Sequence, residues 1–313
     1  MTAPAPLFRD PIFDGPTDPT ILWNPLEKNW WIVYTQRRAN VDTPGVAWVH
    51  GTGLGVASSS DGGRSWLYRG TLNLQAIEPG RNTYWAPEIL FHEGLCHMYV
   101  SYITGVPAAW VGARRILHYT SKNFWDWKFE SVLPLPGDRA IDACVHPLLE
   151  GGWRLWYKDE SDESHTHAAD SLDLYHWRPI GAQITDCGQE GPNVFSLDGW
   201  YFLIADMWDG MAVYQSDNLA HWTRQEENLL SVGGTRPCDN CRGHHADVLI
   251  VPGQAYVFYF VHPGAGAYGY SGEDEIQPYE QRRSVLQVAQ LTFSEGVLRC
   301  ERNAPFDFIL PDR

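Results

Sequence analysis

Ser59-Ser60-Asp61-Gly62-Gly63-Arg64-Ser65-Trp66 reads as a tight turn closed by a tryptophan, and the plan recurs. Ser121-Lys122-Asn123-Phe124-Trp125-Asp126-Trp127, Asp170-Ser171-Leu172-Asp173-Leu174-Tyr175-His176-Trp177 and Ser216-Asp217-Asn218-Leu219-Ala220-His221-Trp222 each follow an apolar run with a Ser or Asp turn and then Trp. The short polar side chain ties the turn to its own backbone, and the indole covers the hairpin. The anchoring residues Trp66, Trp127, Trp177 and Trp222 lie 61, 50 and 45 residues apart. A unit of that length holds four strands, the size of a propeller blade.

A second series interleaves with the first. Asp18-Pro19-Thr20, Trp85-Ala86-Pro87-Glu88, Ile141-Asp142-Ala143, Glu190-Gly191-Pro192 and Gly243-His244-His245 each open an apolar run. Counted from positions 18, 85, 142, 190 and 244, the intervals are 67, 57, 48 and 54. Five starts predict five blades: an all-β fold, a five-bladed β-propeller, with residues 1–313 as a single domain. Blade boundaries fall near residues 80, 137, 185 and 235, and the runs at 285–291 and 297–299 supply the outer strands of blade five. Runs at 30–34, 98–102, 153–157, 201–204 and 256–261 are β-branched or aromatic and bounded by Gly, Pro, Asn and Asp, as strands are. Hardly any apolar window reaches the roughly 10–12 residues that would favour a helix. Irregular inserts at 38–53, 104–114 and 265–281 are long enough to shape a pocket.

Composition narrows the ligand. The chain carries 15 Trp and 15 Tyr, more aromatic surface than a core of this size demands, and a formal charge of −15. A nucleic acid would be repelled by that field, so no nucleic-acid partner is expected, and a neutral, hydroxyl-rich ligand fits the aromatic surface better. No run approaches the roughly 18 apolar residues of a membrane span, and the first residues have neither a basic nor an apolar segment of a secretory signal. The expectation is a soluble, cytoplasmic protein with no membrane partner. Cys238-Asp239-Asn240-Cys241 is one CxxC pair with no second pair to complete a zinc ribbon, and it reads as a loop with two reduced thiols.

A propeller gathers the N-terminal ends of its inner strands around one axial cavity. Asp18, Trp85 or Glu88, Asp142, Glu190, and His244 or His245 are therefore expected to meet there. Several carboxylates in one closed pocket cannot all ionise without repulsion, so at least one should hold its proton at neutral pH. One protonated acid and one ionised base is the requirement of acid–base catalysis. On a strand, adjacent residues face opposite sides, so only one of His244 and His245 points to the axis. His165 and His167 share a face if extended and are candidate ligand contacts, and Trp85 is a candidate stacking platform.

These motifs, in this order and spacing, resemble those of the five-bladed propeller glycoside hydrolases of family 43 and their clan relatives, the arabinofuranosidases, xylosidases and arabinanases. The resemblance implies Asp18 as general base, Asp142 as the residue that tunes and orients the acid, and Glu190 as general acid, in an inverting mechanism. It implies cleavage of a terminal pentose such as arabinofuranose or xylose from small oligosaccharides. It further implies an axial calcium or sodium ion beside a blade-five histidine, for which His244 is the better match by its preceding Gly243 and His245 the fallback. No organic cofactor is expected. Trp85, Glu88, His165, His167 and His245 are then the substrate-binding set. Cys144 stands after Asp142 where the family often shows Asp-Pro, and Lys158, His165 and His167 depart from its pattern. Three alternatives stay open: a His acid, as in the related hydrolases of anhydro-galactose oligosaccharides; a sialidase-like propeller, suggested by the Ser59–Trp66 turn; and a propeller that binds carbohydrate without cleaving it.

Overall fold

The computed structural model describes residues 2–264 and 272–313, so residues 265–271 of the predicted third insert lie outside the described residues. Five sheets follow one another along the chain. Blade one comprises Pro16–Asn24, Asn29–Gln36, Leu54–Ser59 and Leu67–Thr71. Blade two comprises Thr83–His92, Leu95–Ile103, Arg115–Ser121 and Asp126–Val132, with Asn73–Leu74 as a short parallel fifth strand at its outer edge. Blade three is Ala140–Pro147, Trp153–Asp159, His165–Ser171 and Arg178–Ile184. Blade four is Glu190–Leu197, Trp200–Asp206, Met211–Ser216 and Thr223–Arg224, and blade five is His244–Val251, Gln254–Val261, Val285–Ser294 and Val297–Cys300. The molecule is a five-bladed β-propeller. Among the described residues the one helix is Tyr279–Arg282, and no helix is long and apolar enough to cross a membrane.

The Trp turns close as their sequence dictates. In each, one Asp or Asn side-chain oxygen accepts two successive backbone N–H groups: Asp61 from Arg64 and Ser65, Asn123 from Trp125 and Asp126, Asp173 from Tyr175 and His176, and Asn218 from Ala220 and His221. Blade five, which lacks the motif, turns instead through Glu295 and Gly296, both at positive φ.

The second strand of each blade is buried on both faces, which is why these runs read as continuously apolar instead of alternating. In Asn29–Gln36, Trp30, Ile32 and Tyr34 pack toward blade five and the chain termini, while Trp31 and Val33 pack toward blade two. Gln254–Val261 does the same: Tyr256, Phe258 and Phe260 join the blade-one cluster, and Val257, Tyr259 and Val261 join blade four. Phe306, Phe308 and Leu310 from the C-terminal segment fill the seam between the first and last blades.

The innermost strands share one irregularity. Each breaks register with its neighbour just after its start, between Thr17 and Thr20, Trp85 and Glu88, Ile141 and Cys144, Glu190 and Asn193, and His244 and Asp247. Each carries a left-handed residue inside the break: Asp18 (φ 48°), Ala86 (46°), Asp142 (60°), Gly191 (56°) and His245 (25°). A β-bulge leaves its backbone unpaired within the sheet and re-aims the side chains beside it. The loose N–H groups are taken up by the preceding blade. Ala86 N–H donates to Thr35 Oγ1, Asp142 N–H to Ser101 Oγ, Gly191 N–H to Asp142 Oδ2 and His245 N–H to Asp206 Oδ2. These bonds stitch each blade to the next around the axis.

Candidate active site

The five bulges converge on one narrow axial cavity lined by Asp18, Arg37, Trp85, Asp142, Glu160, Glu190 and His245, with Val49, Trp110 and Ile141. In blades one, three and five the left-handed residue itself lines the cavity, as Asp18, Asp142 and His245. In blade four that position is Gly191, and Glu190 before it supplies the side chain. A Cβ on Gly191 would lie 2.6 Å from the His245 ring, so the glycine is what leaves room for the imidazole.

Asp18 Oδ1 lies 3.6 Å from both Arg37 Nη2 and His245 Nδ1, and Thr17 Oγ1 donates to its other oxygen at 3.0 Å. Lys158 Nζ sits 2.9 Å from Glu190 Oε2 and 3.3 Å from Glu160 Oε1. Glu160 is held in turn by Arg114 and Arg139, each 3.1 Å from its Oε2. The insert at 38–53 folds over the cavity and is pinned by Trp85 Nε1 donating to the Val49 carbonyl at 2.6 Å. The insert at 104–114 brings Trp110 against Trp85, with ring centroids 6.1 Å apart. Trp208, half exposed, lies across the Lys158 ammonium at 5.2 Å.

These contacts push the two blade-three and blade-four carboxyls apart. Burial raises Asp142, the negative charges of Glu190 and Asp18 add to the rise, and the opposing pull of His245 and Lys158 leaves it at about 6. Burial also acts upward on Glu190, but Lys158, with help from His245 and Arg37, outweighs it and holds that carboxyl well below the usual range. Burial lowers the His245 imidazole, yet Asp142, Asp18 and Glu190 raise it on balance. The pocket therefore separates a proton-holding carboxyl from an ionised one, the condition for acid–base chemistry.

No protein-family model matches the chain, and no curated relative matches it. Solved structures do resemble it. A thermostable family-43 glycoside hydrolase matches with a TM-score of 0.70 at 17% identity, over 97% of this chain and 100% of that one. The fold is that of family 43. The GH43_1 enzyme from Xanthomonas citri, complexed with xylotriose, matches with a TM-score of 0.66 at 15% identity, over 95% of this chain and 92% of that one. A GH43 β-xylosidase/α-arabinofuranosidase from a compost metagenome, also in complex with xylotriose, gives 0.64 at 16% identity, over 91% and 93%.

The structure brings Asp18, Trp85, Asp142, Glu190 and His245 together and corrects four other expected site residues. His244 does not face the axis: its Nδ1 lies 3.0 Å from Asp206 and its ring packs on Phe260. His245 is the axial histidine. It holds the left-handed position of its bulge, as Asp18 and Asp142 do in theirs. His165 and His167 lie on the third strand of blade three, outside the cavity, where both approach Asp162. Glu88 falls beyond the bulge of blade two. Its Oε1 accepts the Val145 N–H at 2.7 Å, and burial, then Asp247, raises it to about 8. Of the two carboxyls it is Asp142 whose proton affinity is raised and Glu190 whose affinity is lowered. Of the two histidines weighed for an axial calcium or sodium ion, the one at the axis is the fallback, His245. Among the described residues no group of three or more His, Cys, Asp and Glu side chains is placed to hold a metal. The axial His245 shares the cavity with the Arg37 guanidinium and with the carboxylates of Asp18, Asp142 and Glu190.

Arg37, Glu160 and Trp110 were missed, and Lys158 was noticed without a place. A signal for two of them existed. The C-terminal end of each second strand pairs with the N-terminal end of its inner strand, as Lys158 does opposite Ile141. Charged residues closing apolar second strands, Arg37 and Lys158, belong to the pocket for that reason.

Proposed function

We propose that the protein is a glycoside hydrolase that cleaves a terminal pentose from small oligosaccharides with inversion. The observation that carries this reading is the axial convergence of Asp18, Asp142 and Glu190 from three blades. Asp18, on blade one, takes a proton from the attacking water. Glu190, on blade four, gives one to the departing oxygen, and the anomeric carbon–oxygen bond breaks as the water oxygen bonds from the opposite face. Trp85 and Trp110 offer ring faces to the sugar. The likeness in fold to enzymes crystallised with xylotriose supports the substrate class. A screen of aryl pentosides and short xylo- and arabino-oligosaccharides, with product anomers followed by NMR, tests the reading. The expected product has inverted configuration, and a retained one would sink the mechanism.

In the free protein Asp142 holds a proton more tightly than Glu190 does. Lys158 is the residue that keeps Glu190 ionised. Its removal raises the proton affinity of Glu190, because burial then acts unopposed by the nearest cation. An acid works only while protonated, so the alkaline limb of kcat/KM follows the proton affinity of Glu190, which Lys158 holds low in the native protein. In Lys158→Met it should move upward by about one pH unit or more. An unmoved limb would show that Lys158 does not govern the acid.

A further inference from the structure

A second cleft, of about 520 Å³, opens between blades one and two and shares walls with the axial cavity. Arg37 faces the axis and Arg38 the cleft; Trp85 faces the axis and Tyr84 the cleft. The volume is that of a small-molecule site.

Two guanidinium groups line it, Arg38 and Arg81, and among the described residues neither has a carboxylate partner. Arg38 is 7% exposed and spends two of its nitrogens on the carbonyls of His50 and Ala47, at 2.9 and 2.6 Å. Arg81 is exposed, and its stem lies along Gly51, where an added Cβ would meet Arg81 Cδ at 2.8 Å. The two repel each other, and burial weakens Arg38's hold on its charge further. The nearby carboxylates are engaged elsewhere: Glu78 by Tyr102 and Thr104, Asp126 by Asn73 and Asn123. A buried cation without a counter-ion is costly, and a chain of net charge −15 has acidic side chains to spare for neutralising one. The remaining walls are mixed, with Leu72, Leu74, Phe13 and Tyr84 beside Gln36, Thr52 and Asn82.

We propose that this cleft binds a carboxylate-bearing sugar, a uronic acid, with Arg38 and Arg81 on the carboxylate and the aromatic and apolar wall along the sugar ring. A planar guanidinium matches a carboxylate in two-point contact. The mixed lining of apolar, aromatic and polar side chains suits a saccharide better than a bare inorganic anion. The site stands apart from the hydrolytic reading, and its test needs no turnover.

Calorimetric titration of the full chain with glucuronate, glucose and inorganic phosphate tests it. Glucuronate should bind saturably and at least about tenfold more tightly than glucose, the worth of one charge-assisted hydrogen bond. Arg81→Met, at an exposed position and outside the catalytic pocket, should lose about that factor while keeping its fold by circular dichroism. Lys158→Met should bind glucuronate as the native protein does, which separates this cleft from the axial cavity. Glucuronate binding no tighter than glucose, or unchanged in Arg81→Met, would overturn the site. Phosphate binding as tightly as glucuronate would overturn the sugar assignment.

Discussion

Glu190→Gln should lower kcat by about 10²–10⁴-fold on an oligosaccharide, the usual contribution of a general acid, with KM little changed. The substitution keeps the shape of the side chain and an oxygen toward Lys158, which retains Glu160 as its ion-pair partner. What disappears is the transferable proton. The size of the loss should depend on the leaving group, because a nitrophenolate departs without protonation and an alkoxide does not. On a dinitrophenyl pentoside the loss should shrink towards nothing. Asp18→Asn removes the group that activates water, so its loss should be equally large on both substrates. That contrast separates an acid from a base without a structure of either variant. If Glu190→Gln retains full activity on the oligosaccharide, the acid is another group, and His245, beside Asp18 in the same cavity, is the residue to replace next.

Trp31→Ala should cost about 3–5 kcal/mol of stability and lower the melting temperature on the order of 10 °C. Trp31 is fully buried between blades one and two, edge-on to Phe124 and Trp125 at 5.9 and 4.8 Å. Its indole N–H has no hydrogen-bond partner, so the loss is one of packing alone. Because neighbouring blades close over this strand from both sides, the void left by the indole has little to collapse into. Thermal denaturation followed by circular dichroism measures the effect, and a fall of less than about 2 °C would show that the seam relaxes. The site lies on the inner strands, so kcat well below the melting temperature should stay near the native value.

The blades were legible because a turn motif advertises itself: Ser or Asp, then Trp, at blade-length intervals. The inner-strand starts were legible for a related reason, and the observed strands begin at Pro16, Thr83, Ala140, Glu190 and His244. What sequence reasoning could not resolve was facing. Period-two alternation assigns sides only where the ladder is regular, and all five inner strands break register at the residues that matter. Hence Glu88, two residues past Ala86, lies outside the cavity, and His244 was chosen over His245. His165 and His167 failed differently, since they share a strand face but sit on a strand too far from the axis. Lys158 closes an apolar second strand with no motif of its own, and only the antiparallel pairing that brings the end of that strand to the axis reveals its place.

The bulge shared by the inner strands also bears on how such a pocket can change over evolutionary time. Its five left-handed positions are occupied by Asp18, Ala86, Asp142, Gly191 and His245, residues with nothing in common but their backbone. A left-handed conformation costs a non-glycine residue about 1 kcal/mol, a cost the ring has accepted four times. Four of the five bulge N–H groups are bonded to the neighbouring blade, and only the one at Gly191 leans on another station, through the Asp142 carboxylate. The floor of the pocket is thus a set of interchangeable stations. Drift can retune it one station at a time, from acid to base to bare space, while the tryptophan seams that keep the protein folded are left alone.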